Sequence, residues 1–304
     1  VTPARFATLG NITIDDLVFA DGTTMWAVPG GNAIYSALGI AIWGETPTVV
    51  APIGPQYPVD LLGGRVDMSR CRIQEHTLRD WGLYEEDGSR HFLFRNHTRD
   101  WLQYSPTPED AEGLSCTAAH LAPMPWRLQI SLAERLRASG ATAISIDLDD
   151  RYLGEMSRDD VLSMLRAVDL FLPSKQDAEE LFPRMEPLDA LRALRHMAPE
   201  VPVIAIKQGA QGVIAHAAGE SDYLLVPAVA ESVVDTTGAG DAFSGGTLAG
   251  FVATGTALGA MLWGSVAGSF AVASSGPGAL VEATLDEAQR RRERLAGRVD
   301  ARAL

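Results

Sequence analysis

Between residues 116 and 207 the chain alternates short apolar runs with helix-like stretches, and this rhythm restricts the fold more than any other feature. "AAHLAP", "TAISIDLD", "DLFLP" and "VPVIAIK" read as strands. Residues 126–138, 158–167, 175–182 and 188–197 read as the helices between them. Strands this short and apolar have no polar face to give to water. Helices therefore cover both faces, and the crossovers make the sheet parallel. "GVIAHA" and "SDYLLVP" follow as an antiparallel hairpin.

The first hundred residues follow a different pattern. A strand over 5–9 ends at Gly10, and segments 12–19 and 24–28 alternate in polarity. "PGGNAIYSALGIAIWG" opens with turn residues and continues as a helix, and 48–51 is a second buried strand. Pro55 and Pro58 leave 54–70 irregular. "WGLYEEDGSRHFLF" reads as two strands around Asp87-Gly88, a strong hairpin signal. Segments 12–28 and 72–104 are thus expected to form a small β-sheet apart from the main one, within a single domain spanning residues 1–304.

The net charge of −14 argues against a nucleic-acid or anionic-membrane partner. Two cysteines exclude a disulfide framework and fit a reducing cytoplasm. The opening "VTPARFATLG" lacks a basic region followed by an apolar stretch, so no signal peptide is expected. The apolar region 242–275 is laced with glycine and reads as two packed helices, 239–254 and 256–273, with no membrane span expected. "EAQRRRERLAGR" reads as a solvated helix face.

The chemistry concentrates in "DTTGAGDAF", residues 235–243. Gly238 and Gly240 allow successive N–H groups to point into one concavity. The helix beginning near Ala239 adds its unsatisfied donors and the positive end of its dipole. Together they make a site for phosphate, or for charge developing on a transferring phosphoryl group. Asp241, in the first helical turn, either complements the dipole or serves as a general base beside the anion hole. Walker-type and dinucleotide-binding glycine motifs are absent.

"DTTGAGDAFSGG" and "GGNAIYSALGIAIWG" resemble the two signatures of the ribokinase-like (PfkB) carbohydrate kinases, and the resemblance covers essentially the whole chain. It implies an α/β three-layer sandwich with a mostly parallel central sheet and a small β-sheet lid. It also implies ATP and Mg2+ as cofactors, and a small-molecule sugar or polyol as acceptor. By this resemblance Asp241 is the catalytic base, and Gly238, Ala239 and Gly240 form the anion hole. Asp235 and Thr237 match positions that bind a monovalent cation such as K+ in many members. The acid that holds substrate hydroxyls is Asp15 by spacing, with Asp16 the lesser choice. A pair of turn-capping acids is the plainer reading of both.

Gly30, Gly31 and Asn32 are expected to contact the acceptor. Tyr35 stands where many members carry asparagine, as a substrate-shaping ring or a core residue. Ser174 and Asp177 align with the family's magnesium-placing pair, and equally suit a helix cap. Lys207 is expected to approach the ATP phosphates, with Gly209 and Gly212 shaping the turn.

"RHFLFRNHTR" gathers Arg90, Arg95, Arg99, His91 and His97 without an acid. If it faced the pocket, an anionic acceptor would follow, with Arg95 a substrate contact. A solvated lid surface or a homodimer contact is the plainer reading. Strand alternation puts His91, Leu93, Arg95 and His97 on one face, and Phe92 and Phe94 on the other. The expected activity is ATP-dependent phosphorylation of a sugar or polyol hydroxyl. A nucleoside kinase of the same superfamily and a non-catalytic sugar or nucleotide sensor are the alternatives.

Overall fold

The computed structural model describes residues 4–86, 90–95 and 101–304. The Asp87-Gly88 turn, His97 and Arg99 lie outside the described residues. The β/α rhythm builds a nine-stranded sheet, in the order Asp300–Ala303, Asp222–Val226, Val213–Ala217, Val203–Lys207, Leu170–Phe171, Ala143–Ile146, Cys116–Leu121, Ala4–Leu9 and Thr48–Val50. The six strands from Val203–Lys207 to Thr48–Val50 run parallel, and the other three complete the sheet in antiparallel fashion. The edge strand Asp300–Ala303 has no apolar pattern and is wholly exposed, which is why the sequence does not announce it. Separate apolar clusters fill the two faces of this sheet, so it is the middle of three layers.

The second sheet has the order Thr24–Gly30, Thr13–Val18, Leu78–Tyr84 and Arg90–Phe94. It corresponds to the expected lid, with one correction. Arg72–Ile73 does not join it, and pairs instead with Pro52–Ile53 in a two-stranded sheet.

The helix Ala239–Thr254 is apolar all round because it is buried between other helices. It lies against Asn32–Ala41 on one side and Ala257–Ala271 on the other. A Cβ added at Gly245 would fall 1.9 Å from the Ser36 carbonyl oxygen, and one at Gly39 2.2 Å from that of Ala242. The two helices therefore cross backbone to backbone, and only glycine permits this approach. Trp43 and Trp263 stack at 4.1 Å in the same cluster. The crossing fixes where the N-terminus of Ala239–Thr254 emerges. Among the described residues no helix is long and apolar enough to cross a membrane.

Gly245→Ala is expected to cost about 1–3 kcal/mol through overpacking. Gly297→Ala, whose new methyl meets nothing within 4 Å, should stay within about 0.5 kcal/mol of the parent. Urea denaturation of the two variants checks the contrast.

Candidate active site

Gly238 caps the helix Ala239–Thr254 in the left-handed conformation, at φ 74°. A Cβ there would lie 2.2 Å from the Tyr35 ring, so the turn rests directly on that ring. Ala239, Gly240 and Asp241 form the first helical turn; the Ala239 N–H bonds the Thr236 carbonyl at 3.3 Å, while those of Gly240 and Asp241 have no carbonyl one helical turn before them within the helix. Asp241 is partly exposed. Its carboxyl is pushed up to about 7, chiefly by withdrawal from solvent and then by the Asp147 carboxylate, with Lys207 opposing. Such a group titrates where a general base is most effective.

Asp147 follows the strand Ala143–Ile146 and is buried. It forms an ion pair with Lys207, accepts a hydrogen bond from Ser244 Oγ at 3.1 Å, and accepts another from the Leu148 N–H at 2.9 Å. Ser244 stands three residues after Asp241 on the same helix. Sequence reasoning missed Asp147. Its signal was an acid at the carboxyl end of a parallel strand, where open α/β sheets build their sites.

A cavity of about 320 Å³ opens here, lined in part by Asp147, Asp149, Arg151, Ser174, Asp177 and Lys207. Ser174 and Asp177 form a complete capping box at the start of Lys175–Leu181. The plainer reading of that pair is therefore realised, while Asp177 also lines the cavity. Burial first, and then Asp147, raise the Asp177 carboxyl to about 6. Gly209 and Gly212 adopt φ of 57° and 88° in the turn after Lys207, and neither lines the cavity.

The oxygen donors and the cation fit Mg2+ with phosphate. Magnesium is commonly held by one or two carboxylates plus the phosphates themselves. No cluster of three or more His, Cys, Asp or Glu side chains suited to a metal occurs among the described residues.

Strand alternation separates Asp15 from Asp16. Asp16 is fully buried on one lid face, where it pairs with Arg79 at 2.7 Å and with Arg95. Arg95 lies over the Trp81 ring on that face. This corrects the expectation for Arg95, whose guanidinium is bound to Asp16 and shares no face with Asp15. Arg90 lies by register opposite Tyr84.

The opposite face carries Asp15, Asp80, Gly82, Tyr84, Phe92 and Phe94, by register and by contact. It looks toward the catalytic turn. Tyr84 Oη donates to Asp235 Oδ2 at 2.7 Å and lies 3.2 Å from Thr237 Oγ1. Asp235 Oδ1 accepts from the Thr237 N–H at 2.9 Å. Asp235 and Thr237, expected to hold a cation, thus meet the lid tyrosine, a residue that sequence reasoning passed over. Burial raises the Asp15 carboxyl to about 6, with the Thr13 hydrogen bond opposing and Asp235 adding.

The glycines and Asn32 serve the protein before any acceptor. A Cβ at Gly30 would strike Asp15 Oδ2, and one at Gly31 the Asn11 carbonyl. Asn32 Oδ1 accepts from the Asn11 N–H and Asn32 Nδ2 donates to the Pro123 carbonyl, each at 2.7 Å. Asn32 therefore braces two loops. Tyr35 is buried; burial, then Asp15 and Asp235, hold its hydroxyl well above the usual phenol range.

A family model described as pfkB family carbohydrate kinase matches residues 15–284. The chain belongs to this family. A cytidine kinase from Thermococcus kodakarensis is 30% identical over 249 residues, which is 80% of this chain and 87% of that protein. A 2-dehydro-3-deoxygluconokinase from Escherichia coli K12 is 30% identical over 212 residues, covering 62% and 66% of the two chains. An Escherichia coli protein assigned as ribokinase II, solved in complex with ATP and Mg2+, superimposes with a TM-score of 0.75 at 20% identity, over 96% of this chain and 99% of that one. The pfkB-family chain described here has the ribokinase-like fold with its lid, and it is a kinase of that superfamily.

Four acids in this kinase, Asp15, Asp80, Asp177 and Asp241, sit above the ordinary carboxylate value of 3.8, at about 6 to 7. In that window the folded chain holds protons that the unfolded chain has released, so stability falls as pH rises from about 4 to about 7. Urea midpoints at pH 5 and pH 7.5 are expected to show the loss, with a smaller loss in Asp241→Asn.

Proposed function

We propose that this chain transfers the γ-phosphoryl group of ATP to a hydroxyl of an uncharged sugar-bearing acceptor, with Asp241 as the base. The observation that carries the reading is Asp241 itself, held beside the open N–H groups of its own helix. Asp241 takes the hydroxyl proton as that oxygen bonds to the γ-phosphorus. The bond from phosphorus to the β-phosphate oxygen breaks, and ADP leaves. Gly238, Ala239 and Gly240 face charge on the moving phosphoryl group. Lys207, held by Asp147, is the cation placed to meet phosphate oxygens. Asp147 and Asp177 are the carboxylates that would hold Mg2+ with ATP, where the ion would neutralise phosphate charge. Asp15 accepts hydrogen bonds from acceptor hydroxyls. The lid excludes water, which would otherwise compete for the phosphoryl group.

Of the two acceptor classes expected, the nucleoside is favoured over a free sugar. Phe92 and Phe94 stand two residues apart on the lid face that carries Asp15, and both rings remain partly exposed. Flat apolar rings open to a cleft suit stacking on a base, which a free sugar does not offer. The relation to a cytidine kinase supports the same choice.

ADP release across nucleosides and free sugars tests the acceptor, and turnover of free sugars alone would overturn the nucleoside assignment. Asp241→Asn is expected to lower kcat by about 10²–10⁴-fold and to leave ATP affinity within about twofold. Unchanged turnover in that variant contradicts the assigned base.

A further inference from the structure

Asp80 is a buried acid that the mechanism above does not use. It is 5% exposed, and its Oδ1 has no hydrogen-bond partner among the described residues. An unpaired carboxylate oxygen shut away from water is costly, and on the lid face that carries Asp15 it is an acceptor that a bound ligand's donor would satisfy. The lid register sets its surroundings. Asp80 pairs with Asp15 on one side and with Phe94 on the other, so the three side chains form one row across the face that carries the acceptor acid. Neighbouring Cβ atoms in such a row are about 5 Å apart.

The charged groups facing Asp80 are few. Asp15 lies beside it, and Arg151, in the short helix Asp150–Leu153, acts on it electrostatically. Arg151 is already held by the Asp149 carboxylate, through its Nε at 2.7 Å and through a second nitrogen. Asp235 lies beyond Asp15 and acts on it. Burial and Asp15 raise the Asp80 carboxyl to about 7. The row thus presents two acceptor-only carboxylates flanked by an aromatic ring, and its one nearby cation is engaged elsewhere.

We propose that Asp80 is a second acceptor-binding carboxylate, which receives the amino edge of a base stacked on Phe94 while Asp15 receives the sugar hydroxyls. This rests on the nucleoside reading above and narrows it to amino-bearing, uncharged acceptors. A base with a carbonyl in place of the amino group points a lone pair at a carboxylate and is rejected. A phosphate- or carboxylate-bearing acceptor meets the Asp15–Asp80 pair and is repelled.

Calorimetric titration at pH 8 tests this with cytidine, uridine and gluconate as probes, against the parent, Asp80→Asn and Asp241→Asn. The parent is expected to bind cytidine at least about tenfold more tightly than uridine, the scale of one hydrogen bond to a charged group, and gluconate more weakly than either. Asp80→Asn should lose the cytidine preference while its ATP affinity stays within about twofold. Its melting temperature without ligand should equal or exceed the parent's, because the substitution removes an unpaired buried charge; a purely structural role would lower it.

Equal binding of cytidine and uridine by the parent, a preference retained in Asp80→Asn, binding of gluconate as tight as cytidine, or binding of none of the three overturns the proposal. Asp241→Asn should keep the cytidine preference without turnover. ADP release by the parent is scored separately, so a failure of the kinase mechanism remains distinct from a failure of Asp80 recognition.

Discussion

The contact between the Tyr35 ring and the backbone of Gly238 holds the two halves of the site together. Tyr35 belongs to the helix Asn32–Ala41, which begins where the lid strand Thr24–Gly30 ends. Gly238 begins the helix that carries Asp241. The close crossing of those helices sets the height of the catalytic turn, and the ring sets its tilt. Asp15 and Asp235 both act on the Tyr35 hydroxyl. Asp15, Asp235 and the turn at Gly238 therefore share one support. A side chain of another size at Tyr35 would alter all three together.

The acids of the cleft form two sets. Asp147 pairs with Lys207, and Asp177 and Asp241 feel both charges; the proposed mechanism gives this set to phosphate. Asp15 and Asp80 lie side by side on the lid, and the proposals give this set to the acceptor. Both sets are held at a cost to the free protein, because burial raises four of these carboxyl groups at once. Concentrating such groups in a cleft is what a binding site does and a hydrophobic core avoids.

Much of this was legible in the residues. The glycine turn and its helix start were readable because the features are local: glycine, helix start and acid are adjacent in the chain. The parallel sheet was readable because its strands are apolar on both faces. The alternation of Phe92 and Phe94 against Arg95 is likewise legible in the strand pattern. Which of those two faces met the cleft was not readable, since Arg95 is turned away by Asp16, 79 residues earlier. Asp147 and Lys207 are 60 residues apart, and Tyr84 and Asp235 are 151 apart. Pairings at such distances are settled by topology, and no local pattern marks them. The edge strand Asp300–Ala303 was missed because it is exposed throughout and has no apolar period.

The bridge from Tyr84 to Asp235 and Thr237 has a consequence for how this scaffold can change. Exchanging the lid is the obvious route to a new acceptor. Here the strand that carries Asp80 also ends in the hydroxyl that anchors the loop leading to Asp241. A transplanted lid without a tyrosine at that place would release the loop while altering the pocket. Selectivity and rate are wired through one strand, and substitutions made one at a time are the route that leaves them separable.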